Sequence, residues 1–440
     1  MVRVSAAPSE AQLASSAARK VSRRLLPFLF VLYIVAYLDR INVGFAQLQM
    51  KGALGFGDSV YGLGTGIFFI GYFLFEVPSN LILARTGARL WIARIMITWG
   101  LISASMAFVQ TPASFYALRF LLGVAEAGFF PGIIYYLGSW FPEEQRASVV
   151  SRFMTAVPIA GVIGGPLSGA LFTLDGTAGL AGWQWIFLAE GLPSVVLGIA
   201  VLFYLTDRVE DAHWLSPAER AVLGTRIRME EQQIAARGHV GVLRALLHPT
   251  VWRLSLLLFP LVVGLYGITF WLPQIIQGFS GLGNVAVATV SAIPYLTAVV
   301  VMVVFGAHSD RTGERRLHLA VAALAGAVGM ALSASARSPG AVLAALSLSA
   351  AGILSANPIV WALPTTFLTG SAAAGAIGLI NSFANLGGFV GPYLIGRVHD
   401  ATGSFTASLL AIAALLLCTP VLALSLRRPP PADALQASDG

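Results

Sequence analysis

The sequence predicts an all-α membrane protein, with twelve transmembrane helices arranged as two six-helix bundles. Three observations predict it. Of the 440 residues, 57% are apolar and only 11% are charged, where a soluble domain averages about 45–50% and about 25%. The apolar residues fall in long unbroken runs, each near the roughly 20 residues that a helix needs to cross a bilayer. They do not form the short alternating segments of a membrane barrel. Finally, 22 of the 27 Lys and Arg lie on one side of these runs, the side that basic residues mark as cytoplasmic. This balance excludes a soluble enzyme, a disordered chain and a disulfide scaffold.

The elements follow in chain order. A polar tail, 1–24, brings Arg19, Lys20, Arg23 and Arg24 up to the first span. No separate apolar leader precedes it, so the first span is expected to stay uncleaved with its start in the cytoplasm. Spans are expected at 25–48, 61–84, 88–109, 113–138, 148–172 and 183–205, which make an N-terminal bundle over 25–205. A second bundle over 252–426 holds spans at 252–276, 285–307, 317–336, 340–362, 372–396 and 404–426, followed by a cytoplasmic tail, 427–440. The inner loop near 363–371 alone among the inner loops has no basic residue. Between the bundles, 206–251 reads as a cytoplasmic linker. Its Ser216-Pro217-Ala218-Glu219 supplies the cap, first-turn proline and third-position carboxylate of a capping box, and a charged surface helix is expected over 220–237. Gly161, Gly165 and Gly169 repeat every four residues on the fifth span, which lets two helices approach closely. The single cysteine, Cys418, cannot form an intrachain disulfide and is expected to be a packed thiol.

Several chemistries have no carrier in the chain. The six histidines show no metal-ligand spacing, and no nucleotide loop or nucleophile elbow appears. No cofactor and no metal site are therefore expected. No basic stripe carries interleaved aromatics, so nucleic acid is not an expected partner. The partner that the apolar runs imply is the lipid bilayer, with the chain expected to act as a monomer.

A loop signature recurs in the two halves. After the eighth span stands Gly306-Ala307-His308-Ser309-Asp310-Arg311-Thr312-Gly313-Glu314-Arg315-Arg316. After the second stands Asn80-Leu81-Ile82-Leu83-Ala84-Arg85-Thr86-Gly87-Ala88-Arg89. The same spacing at the same place in each half indicates an internal repeat. The second copy resembles in full the inter-helix motif of the major facilitator superfamily, which implies a gating role for Gly306, Asp310, Arg311, Gly313 and Arg315. The first copy keeps Arg85, Gly87 and Arg89 but has Asn80 for the glycine and Ala84 for the aspartate. If the aspartate locks the inward gate, that lock is weakened or replaced in the first half.

Further motifs narrow the resemblance. They are Tyr37-Leu38-Asp39-Arg40-Ile41-Asn42-Val43-Gly44, Arg119-Phe120-Leu121-Leu122-Gly123 with Glu126 and Gly128, and Trp183-Gln184-Trp185 with Glu190-Gly191. In the second half, Tyr266-Gly267 stands with Phe270-Trp271-Leu272-Pro273, and Asn381 and Asn385 with Gly387-Gly388. Together they are similar to the anion:cation symporters, whose members carry tartrate, phthalate, hexuronates and galactonate. The resemblance covers residues 22 to 428. It implies the twelve-helix facilitator fold and secondary active transport in place of catalysis.

The buried charges support the same reading on their own. A charged side chain at the bilayer centre costs about 2.5–3.5 kcal/mol on insertion scales, yet Asp39, Arg40, Glu76, Arg119, Glu126 and Glu190 all fall within spans. At ~1.5 Å per residue, Asp39 and Arg119 each lie ~9 Å from the outer edge of the core. Arg40 and Arg119 are thus expected at one level, as a fork for carboxylate. Glu126 lies two turns deeper on the helix face of Arg119. Arg40 and Arg119 are the expected anion ligands, and Asp39 and Glu126 the expected carriers of the coupling protons, roles that the resemblance also implies for these positions. The alternative is an Asp39–Arg119 or Arg40–Glu126 pair that fixes helix packing. For Glu76 and Glu190 a hydrogen bond to a neighbouring helix is the expectation. The second half has no charge in its spans, so its expected contacts are polar and aromatic: Tyr266, Trp271, Gln274, Asn381 and Asn385, joined from the first half by Tyr37 and Tyr72.

Overall fold

The computed structural model describes residues 9–236, 249–362 and 371–425, and every regular element among them is helical. Eleven of the helical stretches are long and apolar enough to cross a membrane. The remaining expected span, 372–396, falls within the helix Ser371–Thr402. The loop expected near 363–371, save Ser371, and the tail 427–440 lie outside the described residues.

In chain order the first bundle runs α1 (Glu10–Leu54), α2 (Asp58–Thr86), α3 (Ala88–Ser105), α4 (Pro112–Glu126), α5 (Phe129–Gly138), α6 (Glu143–Met154), α7 (Ala156–Phe172) and α8 (Gly182–Tyr204). The linker carries α9 (Pro217–Ala236). The second bundle runs α10 (Pro249–Ser280), α11 (Asn284–Val290), α12 (Ala292–Thr312), α13 (Arg315–Ser335), α14 (Pro339–Ala362), α15 (Ser371–Thr402), α16 (Thr406–Leu416) and α17 (Cys418–Ser425).

Two departures from the expected spans bear on the site, and a third expectation fails away from it. First, α1 extends past both expected ends, because Ser9 and Gln12 close a capping box upstream of the basic cluster and Gly55 ends the helix in a left-handed turn. Second, the fourth span breaks between α4 and α5 at Gly128, whose φ of 88° suits glycine. A Cβ there would stand 2.2 Å from Ser79 Oγ. Glu126 is therefore the last residue of a helix, next to loosened backbone. Third, Cys418 is exposed. It faces outward from the bundle, and the expectation of a packed thiol fails because α16 and α17 turn that face away from their neighbours.

The two bundles meet along α2 with α15, α7 with α11 and α12, and α1 with α10. The small-residue face of the fifth span lies on this seam. A Cβ on Gly165 would stand 2.3 Å from the Ala288 carbonyl oxygen, and Gly161 backs onto the Tyr295 ring. At the end far from the termini the seam is also polar. Asp400 of α15 caps the start of α2, accepting from the Asp58 and Ser59 amides at 3.0 and 2.7 Å. Asp58 in turn pairs with Lys51 and with His399, and accepts from Gln274.

At the other end, α9 starts as expected: Ser216 and Glu219 exchange backbone-to-side-chain hydrogen bonds of 2.9 and 3.2 Å. The same Glu219 accepts from Ser16 and Lys20 on the polar extension of α1, which holds the linker against the first bundle.

Candidate substrate site

At the centre of the bundle, α1 places Arg40, the end of α4 places Glu126, and α10 places Tyr266. Arg40 Nη2 is ion-paired with Glu126 Oε1, and Arg40 Nη1 donates to the Tyr266 hydroxyl at 3.0 Å. The guanidinium lies 5.9, 5.5 and 5.6 Å from the ring centroids of Tyr37, Phe68 and Tyr72, within cation–π range. Two polar groups here are buried without a partner, the Tyr37 hydroxyl and Arg40 Nε.

Arg119 is fully buried at 0% exposure. Its Nε and Nη2 donate to the carbonyls of Gly64 and Thr65 at 3.2 and 3.3 Å. Its guanidinium carbon stands 5.0 Å from the Phe68 ring centroid and 5.9 Å from that of Phe270. Nη1 has no partner, and among the described residues no carboxylate pairs with this cation. Both guanidiniums pack on the ring of Phe68, 5.5 and 5.0 Å from its centroid.

The remaining span charges divide by neighbour. Asp39 points into the first bundle, away from Arg40. It accepts from Ser103, Trp99, Asn42 and Ser194 at 2.5, 2.9, 3.1 and 3.1 Å. Glu190 accepts from Ser168 at 3.0 Å. Glu76 crosses the seam, with Oε1 accepting from Asn381 Nδ2 at 2.5 Å and Oε2 from Ser382 Oγ at 3.0 Å. Of the two packing pairs that the sequence allowed, Arg40–Glu126 forms, and Asp39 finds neutral donors instead of Arg119.

The structure thus gathers Arg40, Glu126, Tyr37, Tyr72 and Tyr266, with Arg119 adjoining through Phe68. It does not bring the other candidates to that cluster. Trp271 donates to the Pro392 carbonyl at 3.2 Å, and Gln274 to Asp58 at 3.0 Å, both toward the far end. Asn381 is engaged by Glu76, and Asn385 is half-buried one turn further along α15. Phe68 was not singled out from the sequence, since one aromatic among several on an apolar face carries no signal. Asp58 and His399 were missed because each stands at the edge of a span, where charge is unremarkable.

The loop copies differ in the way their sequences differ. In the first copy, Asp207, three residues past the end of α8, meets the loop: its Oδ1 accepts from the Arg89 amide at 2.8 Å, and its Oδ2 stands 3.7 Å from Arg89 Nε. Gly87, at φ 91°, lets this carboxylate approach, since a Cβ would meet it at 3.1 Å. Arg85 is exposed. In the second copy, Gly313 turns the chain at φ 67°, Arg311 is exposed and Gly306 faces open space. Arg316 donates to the Ala423 and Leu424 carbonyls at the end of α17. The side chain of Asp310 lies outside the described residues.

Two helical bundles around a buried cation, with neutral donors supplied across the seam, are the build of a membrane carrier. A sequence model of the Major Facilitator Superfamily matches residues 29–392. The chain belongs to that superfamily, and is a multi-pass secondary transporter, not an enzyme. A protein of Agrobacterium vitis named "Putative tartrate transporter" is 52% identical over 413 residues, 94% of this chain and 95% of that protein. The "Quinolone resistance transporter" of Acinetobacter baumannii is 44% identical over 399 residues, covering 91% and 92% of the two chains. Among solved structures, the partially occluded inward-open xylose transporter XylE from E. coli shares the fold, with a TM-score of 0.73 and 14% identity over 94% of this chain and 99% of that one.

Proposed function

We propose that the chain is a proton-coupled symporter that imports a small organic anion, a sugar acid or dicarboxylate with tartrate as the leading candidate, by alternating access in a bacterial inner membrane with both termini cytoplasmic. The observation that carries this reading is Arg119, a buried guanidinium with a free Nη1 and no carboxylate partner among the described residues. A buried unpaired charge is expensive, and an incoming carboxylate offsets that cost with charge-assisted hydrogen bonds. Arg40 lies on the same Phe68 ring and is the second anion ligand, released from Glu126 when that carboxylate takes a proton. Tyr37, Tyr72 and Tyr266 supply hydroxyls and ring faces beside it. Glu126 and Asp39 are the proton carriers, Glu126 by trading Arg40 with the substrate and Asp39 from within the first bundle. The relatives from Agrobacterium vitis named for tartrate support the substrate class, and the Lys and Arg distribution supports the orientation.

Proteoliposomes given radiolabelled tartrate, hexuronates, hexonates, phthalate and a quinolone, with and without an inward proton gradient, test the reading. Accumulation of one class above equilibrium, abolished by a protonophore, is the expected result. Flux without accumulation points to anion exchange, accumulation that requires sodium points to sodium coupling, and binding without flux points to an anion sensor.

A further inference from the structure

We infer that Glu76 is a third proton-coupling carboxylate, one that senses whether the two bundles are closed on each other. The inference rests on the proton-coupled reading above. Glu76 is 3% exposed on α2, about 15 Å from the Thr86 end of that helix, and Asn381 lies about 15 Å from the start of α15. The two therefore meet at one depth. Both carboxylate oxygens are satisfied, each by a different and neutral side chain, and both donors belong to the opposite bundle. No Lys or Arg pairs with Glu76 among the described residues. The facing groups are Asn381 and Ser382 from α15, Tyr72 one turn back on α2, and beyond the Tyr72 ring the Arg40 guanidinium of α1.

This arrangement has a consequence for motion. Separating α2 from α15 removes both donors from Glu76 in one step. Parting the bundles at that depth also admits water, which solvates a carboxylate better than two neutral donors in a dry seam do, so the open seam favours the anion and the closed seam, where burial disfavours charge, the protonated acid. Glu76 then takes a proton as the bundles close on it and gives it up when they part. Glu126 exchanges Arg40 for a proton within one bundle, so the two carboxylates report different events, substrate arrival and bundle closure. The neutral donors matter here. An arginine in place of Asn381 would hold the carboxylate ionised in every state and lock the seam.

The test separates coupling from packing by comparing two modes of the same protein in proteoliposomes loaded with its transported anion. Counterflow exchange needs the bundles to rock but needs no net proton movement, whereas uphill accumulation needs both. Glu76→Gln is expected to keep exchange and to lose proton-driven accumulation, and Glu76→Asp to regain part of the accumulation. Loss of exchange together with accumulation in Glu76→Gln overturns the inference and leaves Glu76 a packing group, and so does retention of both. If the unsubstituted protein itself shows no proton-driven accumulation, the symport reading fails, a result distinct from either outcome in the variant.

Discussion

The two bundles share a fold but divide the chemistry. In the first, Asp39, Glu76, Arg119, Glu126 and Glu190 are buried; in the second, the buried polar groups among the described residues are hydroxyls and His318. At mid-depth the second bundle answers the charges of the first with neutral donors and acceptors: Tyr266 to Arg40, Asn381 and Ser382 to Glu76. Rocking one bundle against the other thus breaks hydrogen bonds there and no ion pair. A buried pair split by motion would leave two uncompensated charges at several kcal/mol each, and a carrier that had to do so in every cycle would be slow. The contact between a carboxylate and a basic residue across the seam, among the described residues, lies instead at the far end, where Asp58 meets His399 at 2.8 Å. The lesson is that the buried charge stays in one bundle, and the other meets it with neutral groups.

The largest effect is expected where that division is broken within one bundle. Arg40→Ala strands Glu126 beside Phe68 and Tyr72, and removal of one partner of a buried pair costs about 3–5 kcal/mol. The thermal midpoint of the purified protein should fall by several degrees, and transport should be lost. Glu126→Gln leaves a neutral group that still accepts from Arg40, so it should lose less stability while abolishing proton-driven accumulation. Normal accumulation in both Arg40→Lys and Glu126→Gln under a pH gradient would falsify the roles given to the pair.

Arg119→Ala comes next. It removes no ion pair, only two hydrogen bonds to carbonyls, so folding should suffer less than in Arg40→Ala. Anion affinity should fall by about 3 kcal/mol, on the order of 100-fold, if Nη1 receives the carboxylate. Equilibrium binding of the transported anion by calorimetry is the measurement. An Arg119→Ala protein that binds as tightly as the parent would move the anion site to Arg40 alone.

How much of this was legible in the sequence depends on whether a feature is local. The spans, the capping box at Ser216 and the repeated loop depend on residues close in the chain, and each has a described element in its place. The six span charges were legible too, because any charge in an apolar run stands out. Partners were not legible. Glu76 meets Asn381 across 305 positions, and Asp207 reaches Arg89 from beyond the end of α8; periodicity gives the face of a helix but not what it faces. The length of α1 was not legible either, because its end is set by a glycine turn at Gly55 past the apolar run, not by the run itself.

Tyr266→Phe probes the neutral side of the comparison. It deletes the single hydroxyl by which α10 touches Arg40, a hydrogen bond to a charged group worth about 1.5 kcal/mol. Transport at low substrate should fall roughly tenfold, with the thermal midpoint nearly unchanged, because Arg40 keeps Glu126. A larger loss of stability than of transport would mean that the hydroxyl holds the seam more than it reads the anion.

The smallest effect lies outside the membrane, where α9 decides to which bundle the linker belongs. Burial alone would push the Glu219 carboxyl up, but hydrogen bonds from Lys20, Ser16 and Ser216 outweigh it and hold it down at about 2. A carboxylate lowered in the folded state adds stability that is present above its unfolded value near 4.5 and is lost as pH falls toward 2. The contact of α9 with α1 should therefore weaken between these values and stay constant above them. Lys20 is half exposed, so the ion pair itself is screened and contributes less than about 1 kcal/mol. Amide hydrogen exchange along α9, taken relative to the intrinsic amide rate at each pH and followed from neutral to acid pH, should rise across that window in the parent protein. In Glu219→Gln it should already be faster at neutral pH and flat thereafter. If the parent's exchange were also flat, the linker would be held by its apolar contacts, Leu223 and Ile227, and would ride with the first bundle whatever the charge at Glu219.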